Sequence, residues 1–179
     1  MDFSKFKTSD WLKVGGAAAI LIGYFLNWTD IPGAGDFNFS GSEFFFRGTV
    51  PWLLTVAVGV IALLLAGGVM KAGSLPWPLI MIAATGLSTL LVAIYVINPS
   101  YSGVSDIGRG IGSYLSLIGA AVALAGSVIG FKESGGDLSD LKDMNKLKAS
   151  FGGSSGGSTP PPPPPGGVSP PPPPPPPAG

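Results

Sequence analysis

Four long apolar runs constrain the fold of this chain more than any other feature. A helix needs roughly 20 apolar residues to cross a hydrocarbon core that is about 30 Å thick. The runs cover about residues 11–28, 51–70, 77–97 and 111–131, and Lys13 is the only charged residue within them. Helices buried in a soluble core rarely stay uncharged over such lengths. The sequence therefore predicts an all-α membrane protein with a four-transmembrane-helix bundle.

Composition narrows the class of function. Only 11% of the 179 residues are charged, against about 25% in a typical soluble domain. Basic and acidic residues balance at ten each, so net charge gives no reason to expect a nucleic-acid partner. The absence of cysteine and histidine removes thiolate chemistry and the commonest general base and metal ligand. We predict no enzyme activity, no catalytic residues, no metal and no cofactor.

Tryptophans near the ends of the runs indicate where the membrane interface lies, because amphipathic rings prefer the headgroup layer. The predicted interface anchors are Trp11, Trp28, Trp52 and Trp77. The first run allows a second interpretation, in which lysines followed by an apolar stretch form a cleaved signal peptide. Its A-x-A-like cleavage site is poor, with only "GAG" at 33–35 nearby.

The distribution of positive charge predicts orientation. Four spans place both termini on one side, where eight lysines lie, whereas the two loops on the other side contain only Arg47 and Arg109. Lys and Arg favour the cytoplasmic side. We therefore expect a multi-pass protein of the cell (plasma) membrane with both termini cytoplasmic, including residues 1–10. Residues 29–50 then form an extracytoplasmic loop.

Small residues recur at every fourth position in three of the runs, including Thr85, Thr89 and Ala93 in the third. The predicted helix-packing residues are Gly15, Ala19, Gly23, Gly119, Ala123 and Ser127. Such rows let helix backbones approach closely in lipid. They serve either packing within the bundle or self-association with another copy. The remaining polar groups of the runs are Ser and Thr hydroxyls, which can bond to a carbonyl one turn away.

The loop over 29–50 is unusually rich in phenylalanine for a connection. Its predicted contact patch consists of Phe37, Phe39, Phe44, Phe45 and Phe46. Alternation with polar residues on both sides of "SGS" (40–42) is compatible with a short hairpin, which is stable only if its apolar face is covered. We expect the loop to lie on the membrane or to cap the helices. Docking of an extracytoplasmic partner and a disordered loop are the alternatives.

The C-terminal region differs sharply from the bundle. Residues 132–151 have the apolar spacing of an amphipathic helix, with a plain linker as the alternative. Residues 152–179 predict a disordered Pro/Gly-rich tail with two polyproline runs, Pro160 to Pro165 and Pro170 to Pro177. These runs are either docking ligands for an aromatic groove of a cytoplasmic protein or a spacer of low complexity.

The phrases "IGYFLNW" (22–28) and "YLSLIGAAVALAGSVIG" (114–130), together with the layout, resemble small four-span membrane proteins of high-GC Gram-positive bacteria with Pro-rich tails. The resemblance implies a cell-envelope setting and a tail shaped by GC-rich coding, and it transfers no functional residues. Our functional hypothesis is a scaffold or interaction protein whose partners are the lipid bilayer, other copies of itself and a cytoplasmic protein. The alternative is a small-solute channel or transporter.

Overall fold

The structure is a computed structural model that describes residues 6–30, 39–71, 73, 75–99 and 107–136. These residues include all four apolar runs. The predictions that lie outside the described residues are those for Phe37, for the helix beyond residue 136 and for the tail residues Pro160, Pro165, Pro170 and Pro177.

Helices make up most of the described chain. The elements are α1 (Thr8–Phe25), β1 (Thr29–Asp30), α2 (Val50–Ala66), α3 (Trp77–Ile97), β2 (Gly108–Arg109) and α4 (Ile111–Glu133). Among the described residues, three segments are long and apolar enough to cross a membrane: Phe45–Ala66, Trp77–Ile97 and Ile111–Glu133. Helix α1 is not among them, and it carries Asp10 and Lys13 near its start.

Local chemistry explains where the helices begin and end. Helix α3 has the predicted bounds, and α4 begins at the predicted residue 111. Helix α2 ends at Ala66, earlier than the predicted residue 70, because Gly67 and Gly68 follow it. Gly68 has φ +70°, a left-handed conformation that commonly ends helices.

Helix α1 lies three residues upstream of its predicted position. The backbone N–H of Lys7 donates to Asp10 Oδ2 at 3.2 Å, which satisfies a donor at the helix start and begins the helix at Thr8. Leu26 is already extended, with φ −82° and ψ 168°. Trp28 therefore lies outside the helix, and this changes its role.

The four helices form a ring in which α1 packs against α2 and α4, and α3 packs against the same two helices. Contact between α1 and α4 is closest. A Cβ placed on Gly16 would lie 2.5 Å from the carbonyl oxygen of Gly119, and one on Gly119 would lie 2.7 Å from the Ile20 nitrogen. These are backbone atoms, so the two helices touch without intervening side chains. We call this contact the α1–α4 seam.

The seam uses most of the predicted small residues, but Gly15 is an exception. Ala123 approaches Gly16, Ala19 approaches Gly119, and a Cβ on Gly23 would meet Ser116. Ser127 is also buried, at 2% exposure. Gly15 is exposed, and no atom lies within 4 Å of its Cβ position. Gly15 therefore takes no part in packing within the bundle, where its neighbour Gly16 takes the packing position, and a role of Gly15 in self-association stays a prediction.

A short ribbon ties together the loops at one end of the ring. Strand β1 pairs antiparallel with β2, with Thr29 opposite Arg109, and Asn27 forms a bridge with Ser40. The hairpin proposed around residues 40–42 is wrong, because Gly41–Glu43 forms a 3-10 turn and Phe45–Thr49 a π-helical turn. The residues after the turn thus continue into α2. Strand β1 pairs instead with β2, which lies far away in the sequence.

Candidate functional site

An aromatic cap closes the end of the bundle that carries the ribbon. Trp28, Phe44, Val92 and Tyr95 form a buried cluster. The ring centroids of Trp28 and Tyr95 lie 5.1 Å apart, and those of Phe44 and Tyr95 lie 4.8 Å apart. Such separations are typical of favourable aromatic pairs. The cap joins the end of α1, the loop before α2 and the end of α3.

Hydrogen bonds hold Trp28 at the centre of this cap. Its indole Nε1 donates to the carbonyl of Gly23 at 2.9 Å. Its own carbonyl accepts from the Tyr95 hydroxyl at 3.0 Å and from the Gly110 N–H at 2.8 Å. Trp28 is only 1% exposed. It is a core residue and not the headgroup anchor predicted from its position at the end of an apolar run.

The other three tryptophans are more accessible than Trp28. Trp11 is 51% exposed and packs against the ring of Phe6. Trp52 is half-buried and stacks on Tyr24 with ring centroids 4.8 Å apart, and its buried Nε1 has no hydrogen-bond partner among the described residues. Trp77 is half-buried at the opposite end of the bundle. The anchor role of these three stays a prediction.

The predicted phenylalanine patch divides into an inner and an outer part. Phe44 is buried in the cap, and Phe39 packs against it. Phe45 and Phe46 are 62% and 72% exposed and stand edge to face. Part of the loop therefore caps the helices, and the outer pair presents an apolar surface beside the start of α2.

Two arginines surround the C-terminal end of α3, next to the cap. The guanidinium of Arg109 donates from Nε to the Val96 carbonyl and from Nη2 to the Ile97 carbonyl. Arg47 Nη1 donates to the next carbonyl, that of Asn98, at 3.3 Å. Cations stabilise the unsatisfied carbonyls at a helix C-terminus. We call Arg47, Arg109 and these carbonyls the arginine rim. Sequence reasoning used both arginines only to predict orientation.

A buried ion pair lies at the opposite end of the bundle. Lys13 Nζ and Asp10 Oδ1 are 2.9 Å apart, and their side chains are only 8% and 16% exposed. One turn before Lys13, the Ser9 hydroxyl donates to Glu133 Oε2 at 2.7 Å. This hydrogen bond joins the start of α1 to the end of α4. Lys13 was visible in the sequence, but its burial depends on the position of α4.

A cavity of about 100 Å³ adjoins this ion pair. Its lining comes from all four helices: Asp10, Lys13, Ala62, Leu65, Trp77, Pro78, Met81, Ser127 and Gly130. Since a water molecule occupies about 30 Å³ in the liquid, the space admits only a few waters or a very small solute. The two charges compensate each other, so the cavity favours neither anions nor cations strongly.

Replacing Lys13 with methionine is expected to destabilise the bundle by on the order of 1–3 kcal/mol, because the Asp10 carboxylate loses its partner while mostly buried. A double variant, Asp10→Asn with Lys13→Met, should recover part of that loss. Thermal unfolding in detergent micelles measures both. Lys71→Met, at an exposed lysine, is the matched control. A single variant as stable as this control would contradict the prediction.

Hydroxyl groups inside the bundle bond to the protein itself. The hydroxyl oxygens of Thr55 and Ser88 are 2.6 Å apart, and the Ser88 hydroxyl also donates to the Pro51 carbonyl at 3.0 Å. Thr85 and Ser127 donate to carbonyls one turn earlier in their own helices. The exception is the buried Ser116 hydroxyl, which has no hydrogen-bond partner among the described residues. This arrangement suits helix association better than a polar pathway.

Comparison with protein-family models, curated proteins and solved structures gives no match for this chain. Within the described residues there is no group of three or more His, Cys, Asp or Glu side chains placed to hold a metal ion.

Proposed function

We propose that this protein is a membrane-embedded scaffold whose helical bundle anchors a proline-rich segment at the cytoplasmic surface. The observation that carries the proposal is the α1–α4 seam. Backbone atoms of Gly16 and Gly119 approach so closely that a Cβ on Gly16 would lie 2.5 Å from the opposing carbonyl. A solute path between these helices would require the seam to open. Helices packed this closely are better suited to anchoring than to conduction between them.

The proposal treats α1 as the fourth span. An 18-residue helix is about 27 Å long at 1.5 Å per residue, close to the thickness of a hydrocarbon core. Helix α1 lies antiparallel to α4, with Ser9 bonded to Glu133 at one end and Gly23 against Gly112 at the other. A helix that accompanies a candidate span over this length crosses the same layer.

Orientation and location follow from the lysines and arginines, as in our expectation from sequence. Both termini are cytoplasmic in this proposal, and the aromatic cap and arginine rim face the extracytoplasmic side of the cell membrane. The α1–α4 seam is internal, so self-association uses outward-facing surfaces instead. Lipid contact is supported by exposed apolar side chains along the helices, such as Leu53, Leu90 and Ile118.

The tail supplies the recruiting function in this proposal. Its composition predicts a disordered segment with two polyproline runs. Polyproline II rises about 3.1 Å per residue, so the run from Pro170 to Pro177 spans roughly 25 Å. Because this helix is already formed in the free chain, the run loses little conformational entropy when it binds. Aromatic grooves of cytoplasmic proteins recognise such segments. Two runs on one flexible chain increase the effective concentration at a partner with two grooves.

Crosslinking in cells tests the tail. Three proteins are compared: the full chain, a chain that ends at Ser150, and a full-length control in which glycine and serine replace the prolines of both runs. We expect a cytoplasmic partner to crosslink to the full chain alone. Identical partner sets for all three would refute the tail's role. Equal membrane levels of the three proteins, measured in the same cells, show that the bundle is intact in each.

The alternative function is a small-solute channel or transporter, and the cavity beside Lys13 favours it. An intramembrane ionisable residue commonly marks a transport path. Solute flux into vesicles that contain the purified protein distinguishes the two functions. We expect no flux above that of protein-free vesicles. Flux that disappears in the double variant Asp10→Asn with Lys13→Met would support the alternative instead.

A further inference from the structure

Arg109, in the arginine rim, carries a positive charge that no carboxylate among the described residues neutralises. Arg109 is exposed, and its two hydrogen bonds go to carbonyls of Val96 and Ile97. Carbonyl oxygens satisfy donors but cancel no charge. Among the described residues, no carboxylate pairs with Arg109. Asp30 lies on the neighbouring strand but stands opposite Gly108. Within the described residues, Arg109 therefore presents a unit positive charge at this edge.

The geometry of the guanidinium leaves one edge available. Nε and Nη2 are used by the α3 carbonyls, and Nη1 has no acceptor among the described residues. Guanidinium groups bind phosphate oxygens through such outward N–H groups, and these charge-assisted hydrogen bonds are stronger than neutral ones. Arg47 lies one carbonyl further along the same helix end.

Exposed apolar side chains surround this charge. Ile97, which accepts from Arg109, is 76% exposed, and Ile111, two residues after Arg109, is 71% exposed. Phe46, next to Arg47, is 72% exposed. Ile97 and Ile111 belong to segments apolar enough to cross a membrane. An arginine at the end of such segments lies where acyl chains give way to phosphates.

We propose that Arg109 of the arginine rim binds the phosphate of an anionic phospholipid, whose acyl chains lie against Ile97, Ile111 and the Phe45–Phe46 pair. The charge selects an anionic lipid over a zwitterionic one, because a phosphatidylcholine headgroup brings its own cation. The surrounding apolar residues select a lipid over free phosphate. This inference does not depend on the tail or on the scaffold function.

A single labelled position tests the proposal, since the chain has no cysteine of its own. The full-length variant Ile111→Cys carries a fluorophore and is reconstituted in phosphatidylcholine vesicles. Contact quenching is compared for phosphatidylglycerol and phosphatidylcholine that bear the same nitroxide on an acyl chain. We expect an enrichment of phosphatidylglycerol at this position of about five-fold, the scale expected for one basic residue at an anionic surface. Inorganic phosphate should not displace it.

Variants locate the effect at the rim. Arg109→Gln should bring the quenching ratio close to one, and Arg109→Lys should preserve part of the preference. A label at Leu75→Cys, exposed near the other end of the bundle, should report the same ratio with and without Arg109→Gln. A quenching ratio of one at position 111 without the Arg109 substitution would overturn the proposal. The charge of Arg109 would then be available to a protein partner instead. This holds even if Arg109→Gln fails to fold. An equal fall at both labels would overturn it too.

Discussion

Gly16→Leu is expected to separate α1 from α4 and to abolish the folded bundle. A Cβ at this position would lie 2.5 Å from the Gly119 oxygen and 2.6 Å from the Ala123 nitrogen. Both are backbone atoms of a helix, so neither can rotate away. Overpacking of a core typically costs about 1–3 kcal/mol, and a leucine against rigid backbone should exceed that range. Thermal unfolding and size-exclusion chromatography in detergent measure the loss.

Gly15→Leu is the matched control for this prediction. The neighbouring glycine is exposed, with no atom within 4 Å of its Cβ position. A leucine there extends outward from the bundle and also improves helix propensity. We expect its stability to equal or slightly exceed that of the wild type. Equal destabilisation by the two leucines would show that residue 16 does not face α4.

Trp28→Ala should have the second largest effect, a loss of about 3–5 kcal/mol, as for other buried aromatic residues. The substitution leaves a cavity between Phe44 and Tyr95 and removes the indole N–H that bonds to the Gly23 carbonyl. The end of α1 then loses its main attachment to α3. Unfolding followed by circular dichroism in micelles measures the change.

Trp11→Ala provides the comparison for Trp28, because the same side chain is removed from a position that is 51% exposed. We expect its effect to be within roughly 0.5 kcal/mol of zero, as for most surface substitutions. If both tryptophans were membrane anchors, the two variants would behave alike. A Trp28→Ala variant as stable as Trp11→Ala would therefore argue against the aromatic cap.

The helices were the most predictable part of the fold. Helix α3 could be placed to the residue because proline marks both of its ends. Pro78 occupies a first-turn position, where a missing N–H costs little, and Pro99 disfavours helical geometry at Asn98. Helix α2 lacks such a stop. Its end depends on the left-handed conformation of Gly68, and an apolar run does not reveal this conformation.

The sequence of one helix alone could not show which of its small residues face a neighbouring helix. Gly15 and Gly16 are chemically identical and point about 100° apart on the helix. A strict spacing of four selects Gly15, whereas the structure uses Gly16. Only the position of α4, determined by Gly119 and Ala123, distinguishes them. Small-residue rows therefore predict that helices approach closely without fixing which face does so.

The two ends of the bundle were predicted least well, because tertiary contacts decide them. Trp28 ends an apolar run, as an interface anchor does, but the extended residue Leu26 brings it inward. Its neighbours Phe44 and Tyr95 are distant in sequence. Lys13 appeared to be a charge near a helix start, and its burial likewise comes from the packing of α4 over α1.

The β1–β2 ribbon constrains how the protein is made. The ribosome releases Thr29 and Trp28 long before their partners, since the Trp28 carbonyl accepts from Tyr95 and Gly110 and Thr29 pairs with Arg109. Until then, these polar groups depend on water or on the insertion machinery. A chain stalled before β2 leaves Thr29 without the strand that pairs with it. Helix α4, which is translated after α1, α2 and α3, thus helps to complete α1.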